Sequence, residues 1–176
     1  PETGWTEFVT TARLIEKLEA MGHRVLTGKS VINPEFVRGR NAALVERAKE
    51  AAKAKGVSDA ILARIGDYTG CAVVFDTGRP GPVVAFRFDI DCVNVQETSL
   101  AGHIPNVDGF CSGNPGYMHA CGHDGHTAIG LGVAQWLIEN RDSLKGVIKL
   151  VFQPAEEGVR GAKPMAESGI LDDVDY

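Results

Sequence analysis

The first periodic stretch of the chain covers residues 6–21, where Phe8, Leu14, Ile15, Leu18 and Met21 recur at helical spacing. The pattern predicts an amphipathic surface helix, with Thr6 as N-cap and Gly22 as its C-terminal stop. A short extended piece over 23–26 follows. Residues 34–55 are rich in Ala, Arg, Glu and Lys with few large apolar groups, and read as an exposed helix elaborating the fold. A shorter helix is expected over 59–65, leading into the turn residues Gly66-Asp67-Tyr68-Thr69-Gly70.

The period then changes. Cys71-Ala72-Val73-Val74-Phe75-Asp76 and Pro82-Val83-Val84-Ala85-Phe86-Arg87-Phe88-Asp89 are β-rich runs joined by Thr77-Gly78-Arg79-Pro80-Gly81. They predict a hairpin whose two strands are antiparallel neighbours. Residues 94–117 are polar, rich in Gly and Pro and without sustained periodicity, and a loop of that length inside a compact domain is usually functional or mobile. A helix is expected over 126–140 from Ile129, Leu131, Val133, Ala134, Leu137 and Ile138, with Asp124 as candidate cap. The apolar strand Gly146-Val147-Ile148-Lys149-Leu150-Val151-Phe152 ends at Gln153-Pro154. Strand, long loop, helix, strand is the order of an α/β domain.

Composition adds bounds. With 176 residues, 44% hydrophobic and 23% charged, the chain has the size and balance of one folded domain. Its 18 Lys and Arg against 23 Asp and Glu leave a net charge of −5, which argues against a surface built to neutralise duplex phosphates, so no nucleic-acid partner is expected. No apolar run approaches the roughly 20 residues that span a bilayer, so no membrane partner is expected. Four cysteines, Cys71, Cys92, Cys111 and Cys121, lie far apart without a C-x-x-C pair. Neither a disulfide framework nor a closed zinc knuckle follows, and a cytoplasmic location is expected. The chain opens at Pro1 and stops at Asp172-Asp173-Val174-Asp175-Tyr176, which reads as the run-up to another strand in a clipped piece.

Chemistry concentrates in three places. The run His119-Ala120-Cys121-Gly122-His123-Asp124-Gly125-His126 packs three of the five histidines and one cysteine into eight residues. Thiolate and imidazole are soft metal ligands, and an i, i+2 pair on extended backbone would point Cys121 and His123 to one side, with Asp124 free to hydrogen-bond a ring nitrogen. A polar loop with capping residues is the bland reading of one such pair; the density of the run favours the metal. A cysteine nucleophile ranks second, because His119 and His123 at i±2 are poorly placed to serve Cys121 as base. Cys71, Cys92 and Cys111 are counted as structural.

The second place is Pro154-Ala155-Glu156-Glu157-Gly158, just beyond an apolar strand, where open α/β sheets put their ligands. One carboxylate can face a metal and the other a water, the division that metal-assisted hydrolysis uses, although Glu-Glu pairs are also common on solvated turns. The third is Asp89-Ile90-Asp91, where the carboxylates either orient metal ligands or cap the next turn.

The two motifs Met118-His119-Ala120-Cys121-Gly122-His123-Asp124-Gly125-His126-Thr127 and Phe152-Gln153-Pro154-Ala155-Glu156-Glu157-Gly158 together resemble the amidohydrolase branch of the aminoacylase and carboxypeptidase-like metallopeptidases. Similarity continues in Pro1-Glu2, in Thr77-Gly78-Arg79-Pro80-Gly81-Pro82, in Phe86-Arg87-Phe88-Asp89-Ile90-Asp91 and in Gly161-Ala162-Lys163. Residues 33–66, Asn106-Val107-Asp108-Gly109-Phe110 and the last five residues point, within that branch, to members that cleave p-aminobenzoyl-glutamate.

The resemblance implies a three-layer αβα zinc-peptidase-like catalytic domain with a mixed sheet, of which residues 1–176 are the N-terminal part and 33–66 a helical insertion. It implies two divalent ions, manganese ahead of zinc, with Cys121 as a bridging thiolate, His123 and Glu157 as metal ligands and Glu156 as general base. Relatives carry His-x-Asp where this chain has Arg87-Phe88-Asp89; arginine cannot bind a cation, so ligation moves to the cysteine-histidine pair, and Asp89, Asp91 and Asp124 support it. The rest of the catalytic domain, a lid or dimerisation domain and two more histidine ligands are expected beyond Tyr176, so this piece alone is expected to be inactive. The expected substrate is a small amide joining an aromatic acyl group to an amino acid, foremost p-aminobenzoyl-glutamate, with a companion subunit or a homodimer formed through the missing domain. General N-acyl-amino-acid amidohydrolysis and a non-catalytic binding module of the same fold are the alternatives.

Overall fold

The computed structural model describes residues 1–176. Helix α1, Phe8–Ala20, begins one residue later than the Thr6 cap predicts, and Glu7 occupies the N-cap position without a side-chain cap bond. The free N–H groups of the first turn go instead to Glu2, whose carboxylate accepts from Val9 at 3.0 Å and Thr10 at 2.8 Å. After β1, Val25–Thr27, the stretch expected as one long helix divides. A 3-10 turn, Pro34–Phe36, is separated from α2, Ala42–Ala54, whose Asn41 side chain caps Ala43 and Leu44. Helix α3, Asp59–Ile65, has Ser58 as its cap. Although α2 carries few apolar groups, Val45 and Ala52 are buried, and with Leu62 and Ile65 they join the core under α1.

The remaining elements are β2, Cys71–Asp76; β3, Val83–Asp89; the single turn α4, Ile104–Val107; α5, His123–Glu139; β4, Val147–Gln153; and α6, Ala162–Met165. The sheet order is β1-β2-β4-β3, with β2 antiparallel to β4 and β3 parallel to it. The expected β2–β3 hairpin is therefore absent, because β4 lies between the two strands. The reason is burial: β4 is buried along nearly its whole length on both faces and takes the centre, as continuous apolar runs do. The connection after β2 passes over the start of β4 at close quarters, where Val147 N–H donates to the Pro82 carbonyl at 3.0 Å and Gly146 N–H to that of Arg79 at 2.9 Å. Gly146 has φ +77°, and a Cβ there would lie 2.1 Å from the Pro82 oxygen.

One sheet face packs against α1 and α5 through Phe8, Leu14, Leu18, Ala134, Leu137, Leu150 and Phe152. The other is covered by Trp5, Val31, Ile32, Met165 and Ile170, so this third layer is thin and built of turns and the short α6. Lys149 interrupts the apolar run of β4 on this face; its buried ammonium donates to the Ile170 carbonyl at 2.7 Å and pairs with Asp173. Asp175 and Tyr176 run along the outer edge of β3, donating to Val83 and accepting from Ala85. Cys71 and Cys92 are buried, whereas Cys111 is exposed in the long loop rather than packed as a structural residue.

Candidate metal centre

Three chain segments meet at one end of the sheet. Asp89 ends β3, Pro154 to Glu157 follow β4, and the histidine run is brought alongside because Val93 and Met118 bridge, closing the long loop at its base. The histidine run is not extended. Gly122 is the left-handed N-cap of α5 and His123 its first residue, so Cys121 sits in the preceding turn and the i, i+2 alternation does not apply. Helix α5 thus starts three residues before the predicted 126, and Asp124, expected as its cap, lies inside the first turn.

His123 is 5% exposed and organises the site. Its Nδ1 lies 2.9 Å from the Asp91 carbonyl, which can only accept, so the ring proton is on Nδ1. In the neutral ring Nε2 is the nitrogen with the lone pair, and it faces Asp89 Oδ1 at 3.6 Å, Glu156 Oε2 at 3.7 Å and Glu157 Oε1 at 3.7 Å. Oxygens and nitrogen gathered this way offer their lone pairs to one point, the arrangement that a bound cation satisfies. Glu157 Oε1 is buried without a hydrogen-bond partner, as is Asp91 Oδ1. Two ligands each about 2.1 Å from a shared ion lie at most about 4.2 Å apart, so this donor set fits a divalent metal.

The supporting groups divide the work. Asp91 is fully buried, its Oδ2 accepts the Glu157 N–H at 3.1 Å, and burial holds its carboxyl above the usual range. It therefore steers both His123 and the backbone of Glu157. Asp89 is braced by Arg87 at 3.2 Å and hydrogen-bonds His126 Nδ1 at 2.5 Å. His126 lies one turn after His123 on the same helical face, its ring stacked on that of His123 at 5.6 Å, so Asp89, His123 and His126 form a second group that could hold a cation. The sequence pattern places His126 in the run without giving it a role; the i, i+3 spacing on a helix is the signal that would have found it.

Cys121 is exposed, and its thiol lies against the Glu157 carboxylate, which pushes its pKa up. Asp124 turns away: its carboxylate accepts the Gly125 N–H, and with His103, Phe110, Met118 and His119 it lines a separate cavity of about 200 Å³. Burial draws the His119 pKa down, and its Nδ1 has no partner. Glu156 and Glu157 stand at equal distance from His123; they differ in exposure, 35% against 23% for the side chains.

Residues 85–176 match peptidase family M20/M25/M40. The chain is 55% identical over 177 residues to a Haemophilus influenzae protein named as a homolog of one of the subunits of p-aminobenzoyl-glutamate hydrolase, and the match covers 100% of this chain and 42% of that protein. Among solved structures it resembles an aminobenzoyl-glutamate utilization protein from Klebsiella pneumoniae, with a TM-score of 0.79 and 37% identity, over 100% of this chain and 38% of that one. It also resembles the Bacillus subtilis YXEP protein, a dinuclear metal binding peptidase from the M20 family, with a TM-score of 0.70 and 30% identity over 99% of this chain and 37% of that one. The chain spans about two fifths of the length of the curated relatives it matches. No helix is long and apolar enough to cross a membrane.

Proposed function

From the premise that the chain belongs to peptidase family M20/M25/M40, we propose that it is the N-terminal part of the catalytic domain of a metal-dependent amidohydrolase. The bond cleaved joins an aromatic acyl group to an amino acid, and the substrate is p-aminobenzoyl-glutamate, giving p-aminobenzoate and glutamate. The observation that carries the metal chemistry is the bare Nε2 of His123 facing three carboxylates. The substrate rests on what the similar Haemophilus protein is named for.

In this reading His123, Glu157 and Cys121 hold divalent ions, two in all as in the similar Bacillus protein. Manganese is proposed ahead of zinc, because carboxylate oxygens outnumber the single thiol around His123. Such an ion supplies Lewis-acid polarisation of a carbonyl or water. Glu156, the more exposed of the pair, takes the proton from the attacking water and returns it to the leaving amine. Glu157, with a buried unpartnered oxygen and its N–H fixed by Asp91, is the ligand. Asp91 keeps the His123 proton on Nδ1, and Asp89, braced by Arg87, holds His126. We also propose residues 33–66 as an added helical segment, a companion protein chain in keeping with the name of the similar Haemophilus protein, and a cytoplasmic location, to which four free thiols are suited.

The test uses the complete protein. Glu156→Gln is expected to lower kcat on p-aminobenzoyl-glutamate by at least about 1,000-fold with metal content unchanged, and Glu157→Gln to lose metal. Metal loss from Glu156→Gln instead would show that the two roles are exchanged. Faster turnover of N-acetyl-amino acids than of p-aminobenzoyl-glutamate would replace the substrate assignment with general N-acyl-amino-acid hydrolysis.

A further inference from the structure

The turn that presents Glu156 and Glu157 is gripped from beneath by the N-terminal segment. Ala155 is fully buried with φ 52°, a left-handed conformation that a residue with a Cβ adopts only when its surroundings impose it. Its N–H donates to Glu7 Oε1 at 2.8 Å, and Glu7 Oε2 accepts the Thr69 hydroxyl at 2.6 Å. Glu7 and Thr69 are both 0% exposed. The Ala155 carbonyl accepts from Arg160 and Gly161, completing the grip on that peptide. Gly4 lies flush against the same residue, since a Cβ there would come within 2.8 Å of Ala155 Cα.

A carboxyl group in the core is costly, and an apolar side chain would fill the volume without that cost. What leucine lacks is an acceptor for the Ala155 N–H. We propose that Glu7 is a positioning residue, which by accepting the Ala155 N–H locks the left-handed turn that aims Glu156 and Glu157 at His123. This rests on the roles given above to the two glutamates, while the grip on the turn is independent of them.

Glutamine offers the same carbonyl acceptor to Ala155 and an amide donor to the Thr69 oxygen, so it should substitute where leucine cannot. The experiment compares Glu7→Leu, Glu7→Gln and Thr69→Val in the complete protein by kcat and KM on p-aminobenzoyl-glutamate with manganese. Hydrogen exchange across residues 153–161 is followed in parallel. Folded Glu7→Leu is expected to lose roughly 10- to 100-fold in kcat with KM changed less than about threefold, because the two carboxylates lose their placement rather than their contact with substrate. Glu7→Gln is expected to recover to within about threefold of wild type, and Thr69→Val to fall between the two.

Folded Glu7→Leu with wild-type kcat, or Glu7→Gln as slow as Glu7→Leu, overturns the proposal. If Glu7→Leu does not fold, Thr69→Val decides, and an unchanged kcat there overturns it. A wild-type protein that hydrolyses no amide sinks the functional reading instead. Exchange then decides this inference: faster exchange in Glu7→Leu than in Glu7→Gln supports it, and equal protection in the two overturns it.

Discussion

His123 commits one nitrogen to the Asp91 carbonyl and turns the other toward three carboxylates, a division of labour that a single buried hydrogen bond of 2.9 Å sets. Glu7 shows the opposite economy, a buried carboxyl with both oxygens occupied by protein donors. Burial pushes its pKa up to about 8 from an ordinary 4.5. A carboxyl raised in the folded state holds its proton there while the unfolded chain releases it, so its contribution to stability is complete below pH 4.5 and declines as pH rises towards 8. Denaturant unfolding at pH 5 and pH 8 is therefore expected to show wild type losing more stability than Glu7→Gln, by on the order of a few kcal/mol at about 1.4 kcal/mol per pH unit. Parallel pH profiles for the two proteins would contradict it. Residue identities make Cys121 and His123 readable as candidates through the density of soft ligands, and Glu156 and Glu157 through their place just beyond an apolar strand. The Asp89–His126 bond and the Glu7 network are not readable in the same way, since each joins residues far apart in sequence: 37 positions in the first case, and 62 and 148 in the second.

Strands and helices follow local pattern, while their arrangement follows burial. Strands β2, β3 and β4 fall where the β-rich runs lie, yet β2 and β3 are separated by β4, because Thr77 to Gly81 spans either a hairpin or a one-strand gap and local turn chemistry does not distinguish them. The gap depends on backbone crossing backbone at Gly146. Alanine there meets both a left-handed φ of +77° and the Pro82 oxygen, whereas alanine at Gly78, with φ +71° and open space, meets the first difficulty alone. Gly78→Ala is expected to cost about 1–2 kcal/mol, and Gly146→Ala roughly 2 kcal/mol or more beyond that, from thermal unfolding of both variants. Equal costs would mean that the crossing has slack that the close contact does not suggest. The start of α5 departs from the sequence expectation for a related reason. Gly122 supplies a cap through its left-handed backbone, which no side-chain capping rule detects, so the pattern leaves His123 in a loop although it opens the helix.

Across the whole molecule, the candidate centre lies where three parts of the fold meet at the edge of the shared core. Asp89 and Asp91 belong to the end of β3, Glu156 and Glu157 to the turn after β4, and His123 and His126 to the start of α5. The sheet joins β3 to β4, and the first turns of α5 are tied to the end of β3 by polar contacts of His123, His126 and Thr127. A cation among these side chains would tie all three together, and an ion that binds only the folded protein stabilises it in proportion to the logarithm of its concentration over Kd. At about 100 times Kd the gain is about 2.7 kcal/mol, a rise of several degrees in Tm. Manganese added to the chelator-treated complete protein is therefore expected to raise Tm, and a chelator to reverse the rise. His123→Asn removes the bare Nε2 but keeps a small polar side chain at the helix start, so it should abolish most of the gain while folding without metal. An equal rise in wild type and His123→Asn would move the ion away from these residues, and no rise in wild type would remove it from the fold altogether.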